Sequence, residues 1–345
     1  MKILVLDYAS EYGGAKTISD YFNKEVLKDK HNEWLFITSK RRVYESKHVK
    51  GMTFPFIKYS ILHRIYFEFV TLKRMIKKLQ PDCIVSLLNY GVSGFSGKQI
   101  LYVHQALAFI NESYKQSDSM LKRLKMNILK KKIRKSVSDA DCIIVQTNEM
   151  KKLVEPYNDQ VQVCQPKLFT SYPEVHDEAI HLFYPTNTEN YKRFDLVVKV
   201  GQAIKKFQIP SYIQITLNGD ETRSIKRMFK QCRKEKLPVR FIGSIDCLKM
   251  QTYYRSNHLL FTSEVESTGL PLIEGMHYGA KILALKQAVT EELLEHYPHQ
   301  FLFNDTNLEQ QVLNFYNYPI ISTKGMNIQA KSILDILGKQ GYVIR

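Results

Sequence analysis

Long apolar runs, acidic residues and paired cysteine motifs are scarce in this sequence of 345 residues. No uninterrupted apolar run reaches about 18 residues, so we expect no transmembrane helix. The first residues, Met-Lys-Ile-Leu-Val-Leu-Asp, predict a strand that meets an acid early rather than a signal peptide. The five cysteines show no Cys-x-x-Cys spacing, which predicts free thiols in a reducing cytoplasm and no zinc site.

The excess of basic over acidic residues is concentrated in the first half of the chain. Residues 1–170 hold 29 Lys and Arg against 16 Asp and Glu, whereas residues 171–345 hold 21 against 18. The formal net charge is +16. This asymmetry predicts an anionic partner for the first half, with nucleic acid and an acidic membrane surface as the two candidates.

Two basic segments, 58–78 and 120–138, favour the membrane surface. The helical pattern of the first places apolar residues on one side, namely Ile61, Leu62, Ile65, Phe69, Leu72 and Ile76. The second has no acid, and its basic residues are Lys122, Arg123, Lys125, Lys130, Lys131, Lys132, Arg134 and Lys135. Basic amphipathic helices are typical of membrane-surface elements. The alternative is a solvated helix that packs one side on the core. Aromatic residues are not interleaved in the second segment, which disfavours binding to single-stranded nucleic acid.

Buried strands alternate with amphipathic helices along both halves of the chain, as in Lys2–Asp7, Cys83–Leu88 and Ile282–Leu285. This alternation predicts an α/β protein with doubly wound parallel sheets. We predict one domain over residues 1–170 and a second over residues 171–325, followed by a C-terminal segment over 326–345. A polar stretch with Pro173 and three acids, residues 171–179, predicts the linker between the domains.

The segment 261–279 predicts a strand end, an acidic loop and a short helix that begins near Gly269 and Leu270. Unpaired first-turn N–H groups and the helix dipole make such a helix start favourable for a diphosphate. Glu266 and Glu274 flank the start, and a carboxylate suits paired sugar hydroxyls because it accepts two hydrogen bonds. Together these groups predict a nucleotide-sugar pocket. The alternative is a solvated acidic loop before an ordinary surface helix.

Three further positions are candidates for ligand contact. Gly13 and Gly14 follow the first strand, where missing side chains let backbone approach a ligand, although Gly-x-Gly-x-x-Gly is absent. His104 ends a strand, where parallel sheets bind ligands, but a packed histidine fits the same pattern. Lys192 precedes a helix start, where a point charge meets a diphosphate, although a solvated lysine is the simpler interpretation.

The glutamates 266 and 274 are eight apart, with Gly-Leu-Pro-Leu between them. This string resembles the Glu-x7-Glu motif of family-four retaining glycosyltransferases, in particular their bacterial surface-polysaccharide (capsule or O-antigen) branch. The resemblance implies a GT-B fold, in which two doubly wound Rossmann-like domains face a central cleft and the C-terminal helix crosses back to the first domain. It also implies a metal-independent hexosyltransferase that has no cofactor and uses a nucleotide-sugar donor, with UDP as the expected nucleotide.

The resemblance implies roles for individual residues. Glu274 holds the ribose hydroxyls, Glu266 contacts the donor sugar, and His104 lines the reaction centre. Around the donor diphosphate and base it places Lys192, Gly13, Gly14, Ser244, Thr268, Gly269 and Leu270. Many family members have an arginine where this chain has Asn187, and Arg193 is the candidate for the second positive charge. No Asp-x-Asp motif lies in a suitable place, so no metal is expected.

The expected function is therefore transfer of a sugar from a nucleotide donor to a hydroxyl of a lipid-linked oligosaccharide. We expect a cytoplasmic protein that docks peripherally on the inner face of the cell membrane and binds no nucleic acid. Two rivals remain open. One is a sugar-nucleotide epimerase of similar architecture, which needs no acceptor, and the other is a non-catalytic nucleic-acid-binding protein.

Overall fold

The computed structural model describes residues 1–11, 13–110, 120–166, 168–169, 180–319, 332–339 and 341–343, without the side chains of residues 120–123 and 247. The described chain divides into two compact units. The first unit contains the described residues up to 168 together with those from 332 onward. The second contains residue 169 and residues 180–319.

In the first unit, seven strands of the described chain form one parallel sheet in the order β3-β2-β1-β4-β5-β6-β7. The strands are β1 (Lys2–Asp7), β2 (Glu33–Thr38), β3 (Val49–Thr53), β4 (Cys83–Ser86), β5 (Lys98–Tyr102), β6 (Cys142–Val145) and β7 (Val161–Val163). The central strands are buried along their length because helices cover both faces of a doubly wound sheet.

The helices of the first unit run between these strands. They are α1 (Gly13–Val26), α2 (Ile61–Tyr66), α3 (Leu72–Leu79), α4 (Met120–Ser138) and α5 (Asn148–Val154). A short 3-10 helix, Pro55–Lys58, precedes α2, and a π-helical turn, Phe67–Thr71, joins α2 to α3. The long helix expected over the basic segment 58–78 therefore begins at Ile61. It has a π-helical turn between two α-helical parts.

In the second unit, six described strands form a second parallel sheet in the order β10-β9-β8-β11-β12-β13. They are β8 (Leu182–Tyr184), β9 (Ile213–Ile215), β10 (Val239–Phe241), β11 (His258–Phe261), β12 (Ile282–Leu285) and β13 (Gln300–Phe303). The helices are α6 (Phe194–Lys206), α7 (Arg223–Lys234), α8 (Cys247–Ser256), α9 (Leu270–His277), α10 (Ala288–Leu294) and α11 (Leu308–Asn317).

The last helix, α12 (Ile333–Lys339), belongs to the first unit although it comes after the second in sequence. The hydroxyl of Ser332 donates to Oε2 of Glu25 at 2.6 Å, which ties the start of α12 to α1. The hydroxyl of Tyr342 donates to the carbonyl of Asp141 at 2.9 Å. Side-chain hydrogen bonds therefore anchor both ends of this C-terminal piece.

The prediction of two doubly wound parallel sheets is confirmed, because both sheets are parallel and both reverse their strand order in the middle. Two edge strands escaped the sequence analysis. β3 lies at the end of a polar stretch, and β7 has only three residues. Edge strands carry a weak apolar pattern because one side meets solvent, so neither sequence signals a strand.

Candidate functional site

The candidate site of the second unit lies at the point where its strand order reverses. β8 and β11 are neighbours in the sheet. The strand that follows β8 in the chain, β9, lies on one side of this pair, and the strand that follows β11, β12, lies on the other. In open parallel sheets, ligands bind beyond the carboxyl ends of the strands at such a switch point. The loop after β8 carries Lys192 and Arg193, whereas the loop after β11 carries Glu264 and Glu266.

Lys192 and Glu266 meet at this switch point. Nζ of Lys192 lies 3.3 Å from Oε2 of Glu266, and the two side chains are only 11% and 16% exposed. The ammonium group also lies 5.2 Å from the ring centre of Tyr191 and 5.7 Å from that of Phe261. The structure therefore holds a positive charge and a carboxylate together in a largely desolvated place.

Arg193 pairs with acids of its own surroundings. Its guanidinium lies 2.5 Å from Oε1 of Glu264 and 2.8 Å from Oδ2 of Asp195. The backbone N–H of Glu264 donates to the carbonyl of Tyr191 at 2.9 Å. Arg193 thus joins the loop after β8 to the loop after β11. Its guanidinium group, which the sequence analysis assigned to the diphosphate, is paired with protein carboxylates instead.

The start of α9 has the geometry of an anion-binding helix end. Gly269, the N-cap residue, has a φ of 65° and, as a glycine, no side chain of its own to cap the helix. A Cβ atom at position 269 would overlap the side chain of Leu293, so glycine is required both for backbone and for space. Pro271 occupies the first turn, where its missing N–H leaves no lost hydrogen bond. Thr268 is buried beside this start, and Leu270 is half-buried.

Glu274 lies one turn further along α9 and is half-buried. Burial raises the pKa of its carboxyl group to about 7, although the neighbouring Tyr254 hydroxyl lowers it in part. Burial and the Glu274 carboxylate in turn raise the pKa of Tyr254. Glu274 is therefore a carboxyl group whose ionisation is costly until a ligand supplies hydrogen-bond donors.

The other predicted positions of the second unit are exposed. Asn187 accepts the backbone N–H of Glu189 at 3.1 Å, so its side chain shapes its own loop. Ser244 follows β10 through Gly243, which has a φ of 74°. Both residues lie at the carboxyl edge of the sheet, as the doubly wound topology requires.

The first unit contains the remaining predicted residues. Gly13, with a φ of 59°, and Gly14 open α1 after β1, and both are exposed. His104 follows β5 and is half-buried. Burial lowers the pKa of His104 to about 4, so its imidazole is neutral at physiological pH.

Asn89 defines the tautomer of His104. Its Oδ1 accepts the backbone N–H of His104 at 2.7 Å, which fixes the orientation of the amide. The amide nitrogen then faces Nε2 of His104 at 3.3 Å. Because an amide NH₂ group only donates, Nε2 accepts and the ring proton lies on Nδ1. Asn89 has a φ of 69°, an unusual conformation that asparagine tolerates.

The two basic segments of the first unit expose apolar side chains as well as charge. The exposed apolar side chains of the segments are Tyr59, Ile61, Leu62, Ile65, Tyr66, Phe69, Leu124 and Ile128. Glu68, in the π-helical turn, connects the segments, since its Oε2 lies 2.7 Å from Nζ of Lys132 on α4. The Tyr90 hydroxyl donates to the other carboxylate oxygen at 2.8 Å. We call the exposed residues of these segments the apolar-basic surface.

Sequence reasoning missed several residues that contact the predicted ones, among them Asn89, Tyr184 and Thr262. Each of these three lies at or just beyond the carboxyl end of a strand, and this position was the available signal. Hydroxyl and amide groups near strand ends are common, however, and only coordinates reveal which backbone atoms they reach.

The described residues contain no group of three or more His, Cys, Asp or Glu side chains that could hold a metal ion. In the same part of the chain, every helix is too short or too polar to cross a bilayer.

Parts of the chain are similar in sequence to known glycosyltransferases. Residues 165–315 match the family described as glycosyl transferases group 1. A Haemophilus influenzae protein described as an uncharacterized glycosyltransferase is 25% identical over 272 residues, which cover 73% of this chain and 70% of that protein.

Among solved structures, two examples have a similar fold. Anabaena Alr3699/HepE, in complex with UDP and glucose, has a TM-score of 0.61 at 15% identity, and the match covers 92% of this chain and 89% of that one. The UDP-GlcNAc 2-epimerase of Methanocaldococcus jannaschii has a TM-score of 0.57 at 10% identity, and the match covers 99% and 100%.

These likenesses confirm the GT-B fold, with two Rossmann-like units built on parallel sheets. The family match covers the segment that holds Lys192, Glu266 and Glu274. Residues 165–315, less than half of the chain, are thus similar to group 1 glycosyl transferases.

Proposed function

We propose that this protein is a retaining, metal-independent glycosyltransferase that moves a sugar from a UDP donor to a hydroxyl of a lipid-linked oligosaccharide. The observation that carries this proposal is the meeting of Lys192 and Glu266 at the switch point of the second unit, 3.3 Å apart. The α9 start and Glu274 lie in the same short segment as Glu266. Alr3699/HepE was solved in complex with UDP and glucose, which supports the choice of UDP.

Lys192 and the α9 start stabilise the leaving diphosphate. Negative charge grows on the phosphate oxygens as the bond to the sugar breaks, so fixed positive groups lower the barrier. Before the donor binds, the Lys192 ammonium faces Glu266. Donor binding gives both groups better partners, because phosphate takes the ammonium and sugar hydroxyls donate to the carboxylate.

Glu274 binds the ribose of the nucleotide through its two carboxylate oxygens. The ribose hydroxyls donate two hydrogen bonds, which favour the ionised form of a carboxyl group that burial disfavours. Ser244 and Asn187 border the base and the diphosphate, while Arg193 fixes Glu264 and thereby the loop that carries Glu266.

The chemical step is an attack on the anomeric carbon from the face that UDP leaves. The bond from this carbon to the phosphate oxygen breaks, and a bond to the acceptor oxygen forms. The acceptor proton passes to the departing phosphate, so UDP and the extended glycan are the products. In the first unit, the neutral His104 offers a hydrogen-bonding group to a ligand, and the exposed Gly13 and Gly14 let a ligand approach the backbone closely.

The acceptor is lipid-linked because the first unit combines cationic segments with exposed apolar side chains. Basic residues near an anionic bilayer contribute about 1 kcal/mol each, and exposed apolar side chains gain more by insertion. We propose that the apolar-basic surface docks the protein on the cytoplasmic face of a bacterial membrane. The product then enters a surface polysaccharide such as capsule or O-antigen.

Donor turnover with and without acceptor lipid tests the proposal. We expect UDP release and a longer glycan only when a lipid-linked acceptor is present, with the anomeric configuration retained and the rate unchanged by EDTA. Epimerisation of the donor in the absence of lipid would support the rival enzyme, whose fold is similar. Inverted product or loss of activity with EDTA would contradict retention or metal independence, respectively.

A further inference from the structure

The backbone carbonyl of Lys192 is held by two buried hydroxyl groups. The Tyr184 hydroxyl lies 2.8 Å from this oxygen, and Oγ1 of Thr262 lies 2.6 Å from it. The two hydroxyl groups are themselves 2.7 Å apart. Tyr184 ends β8 and Thr262 directly follows β11, so one residue from each strand at the switch point reaches the same peptide group.

The positions of the hydroxyl protons determine which of these three groups donate and which accept. Each hydroxyl group has one proton, and the carbonyl has two lone pairs and no proton. Either both hydroxyl groups donate to the carbonyl, or Thr262 donates to Tyr184, which then donates to the carbonyl. The carbonyl of Lys192 accepts in both arrangements, and both hydroxyl groups are removed from solvent.

The peptide after Lys192 is fixed from its other side as well. Arg193 adopts a left-handed conformation, with a φ of 47°, and ion-pairs with Glu264 and Asp195. A left-handed non-glycine residue persists only where its surroundings determine it. The direction in which the Lys192 side chain leaves the backbone is therefore set by contacts that do not involve its ammonium group.

This matters because the ion pair with Glu266 cannot position Lys192 throughout the reaction. When Glu266 accepts hydrogen bonds from the donor sugar, the carboxylate is shared and no longer holds the ammonium alone. A lysine side chain has many rotamers, and a misplacement of about 1 Å in a catalytic group can cost a hundredfold in rate. Backbone anchoring keeps the charge beneath the diphosphate.

We propose that Tyr184 and Thr262 are positioning residues, which aim Lys192 at the leaving diphosphate by clamping its carbonyl. The proposal rests on the proposed role of Lys192 in donor binding and transfer. Both hydroxyl groups are buried and bonded to the Lys192 carbonyl, so we expect their effect on the donor to pass through Lys192.

Tyr184→Phe and Thr262→Val test the clamp, each in the parental protein and in a Lys192→Ala background. We expect kcat to fall roughly tenfold to a hundredfold in the parental background. We expect no further loss of UDP affinity or kcat when Lys192 is already alanine, because residues that act as a unit are not additive.

Tyr316→Phe is the matched control. Its hydroxyl group donates to Ser211 at 2.7 Å in the same unit, so the variant also loses one tyrosine hydrogen bond. We expect Tyr316→Phe to lower Tm by as much as Tyr184→Phe while kcat stays at the parental value. The proposal is overturned if Tyr184→Phe and Thr262→Val behave like this control, or if their losses persist in the Lys192→Ala background. A parental protein that binds no UDP would instead refute the donor role of Lys192.

Discussion

Lys192 Nζ and Glu266 Oε2 lie 3.3 Å apart, although 74 positions separate the two residues in the chain. The pair is largely buried, and each member is poorly solvated without the other. In the proposed mechanism, binding of a donor exchanges this internal pair for two external ones. The site is thus stable with its charges neutralised, and the ligand must compete with that neutralisation.

Lys192→Ala should lower kcat by about 10² to 10³, since one preorganised charge at the diphosphate is lost. Steady-state kinetics with the UDP-sugar measure the effect. Lys206→Ala is the control, because Lys206 is exposed and pairs at the surface with Glu309 at 2.6 Å. Parental kcat in Lys192→Ala would contradict the assignment.

Glu274→Gln should stabilise the protein at alkaline pH when no donor is bound. The folded-state pKa of Glu274, about 7, lies above its ordinary value of 4.5, so the folded state binds more protons between these values. Stability of the parental protein therefore falls as pH rises from 4.5 to 7, by at most about 3 kcal/mol. Glutamine has no proton to lose and avoids this fall.

Thermal unfolding at pH 5 and pH 8 measures that difference. We expect Glu274→Gln to raise Tm by several degrees at pH 8 and by little at pH 5. Glu309→Gln, at an exposed glutamate of the same unit, should leave both values unchanged. Equal Tm values for Glu274→Gln and the parental protein at pH 8 would show that burial of the ionised Glu274 carboxylate does not destabilise the protein.

UDP affinity should depend on the ionisation of Glu274. Ribose hydroxyls donate to the ionised carboxylate, so the parental Kd should rise about tenfold between pH 8 and pH 6, given a pKa of about 7. Calorimetry at both pH values measures this change. The phosphate groups of UDP also titrate. Glu274→Gln is the control, because the pH dependence of its UDP affinity reflects the titration of UDP without that of Glu274. An identical pH dependence in both proteins would exclude Glu274 as the ribose ligand.

Gly269→Ala should disrupt the helix start to which we assign diphosphate binding. Alanine at a φ of 65° is strained by about 1–2 kcal/mol, and its Cβ would also overlap Leu293. Gly94→Ala has the same backbone strain, at a φ of 78°, with open space around it. We expect UDP affinity to fall more than about tenfold only in Gly269→Ala. Similar affinities in both variants would argue against the α9 start as the phosphate site.

Ile61→Ser combined with Leu62→Ser should weaken binding to anionic vesicles more than about tenfold. Both side chains are about two-thirds exposed or more, and burial in a bilayer interface gains roughly 1 kcal/mol or more for each. Sedimentation with phosphatidylglycerol vesicles measures the loss. Leu248→Ser, at a leucine 78% exposed in the second unit, is the control. Equal binding of all three proteins, or equal binding to neutral vesicles, would contradict the docking surface.

The sequence predicts the second unit well because its site is built from one contiguous segment and one loop. The strand boundaries of β11 and β12 agree with the apolar runs, and Pro271 and Gly279 bracket α9 as their backbone preferences require. Strong local signals suffice here. The alternation of strands and helices was enough to predict a pair of parallel sheets.

Contacts between distant positions could not be predicted in this way. Asn89 reaches His104 from the neighbouring strand, and Tyr184 and Thr262 converge on Lys192 from positions 78 apart. Such contacts depend on sheet register, which no local pattern encodes. The pairing of Arg193 with Glu264 was missed for the same reason, because the charge alone suited a phosphate equally well.

The π-helical turn Phe67–Thr71 explains why one apolar sequence pattern serves two directions. A single extra residue in a turn rotates the residues before it by about 100° relative to the residues after it. Ile61 and Ile65 consequently point outward, whereas Leu72 is buried, although their spacing predicts one side of a single helix. Deletion of one residue from this turn would rotate the outward side chains around the helix axis while every one of them is kept. The direction of the exposed apolar side chains is thus determined by the number of residues in the π-helical turn. Insertion or deletion of a single codon there is enough to change that direction during evolution.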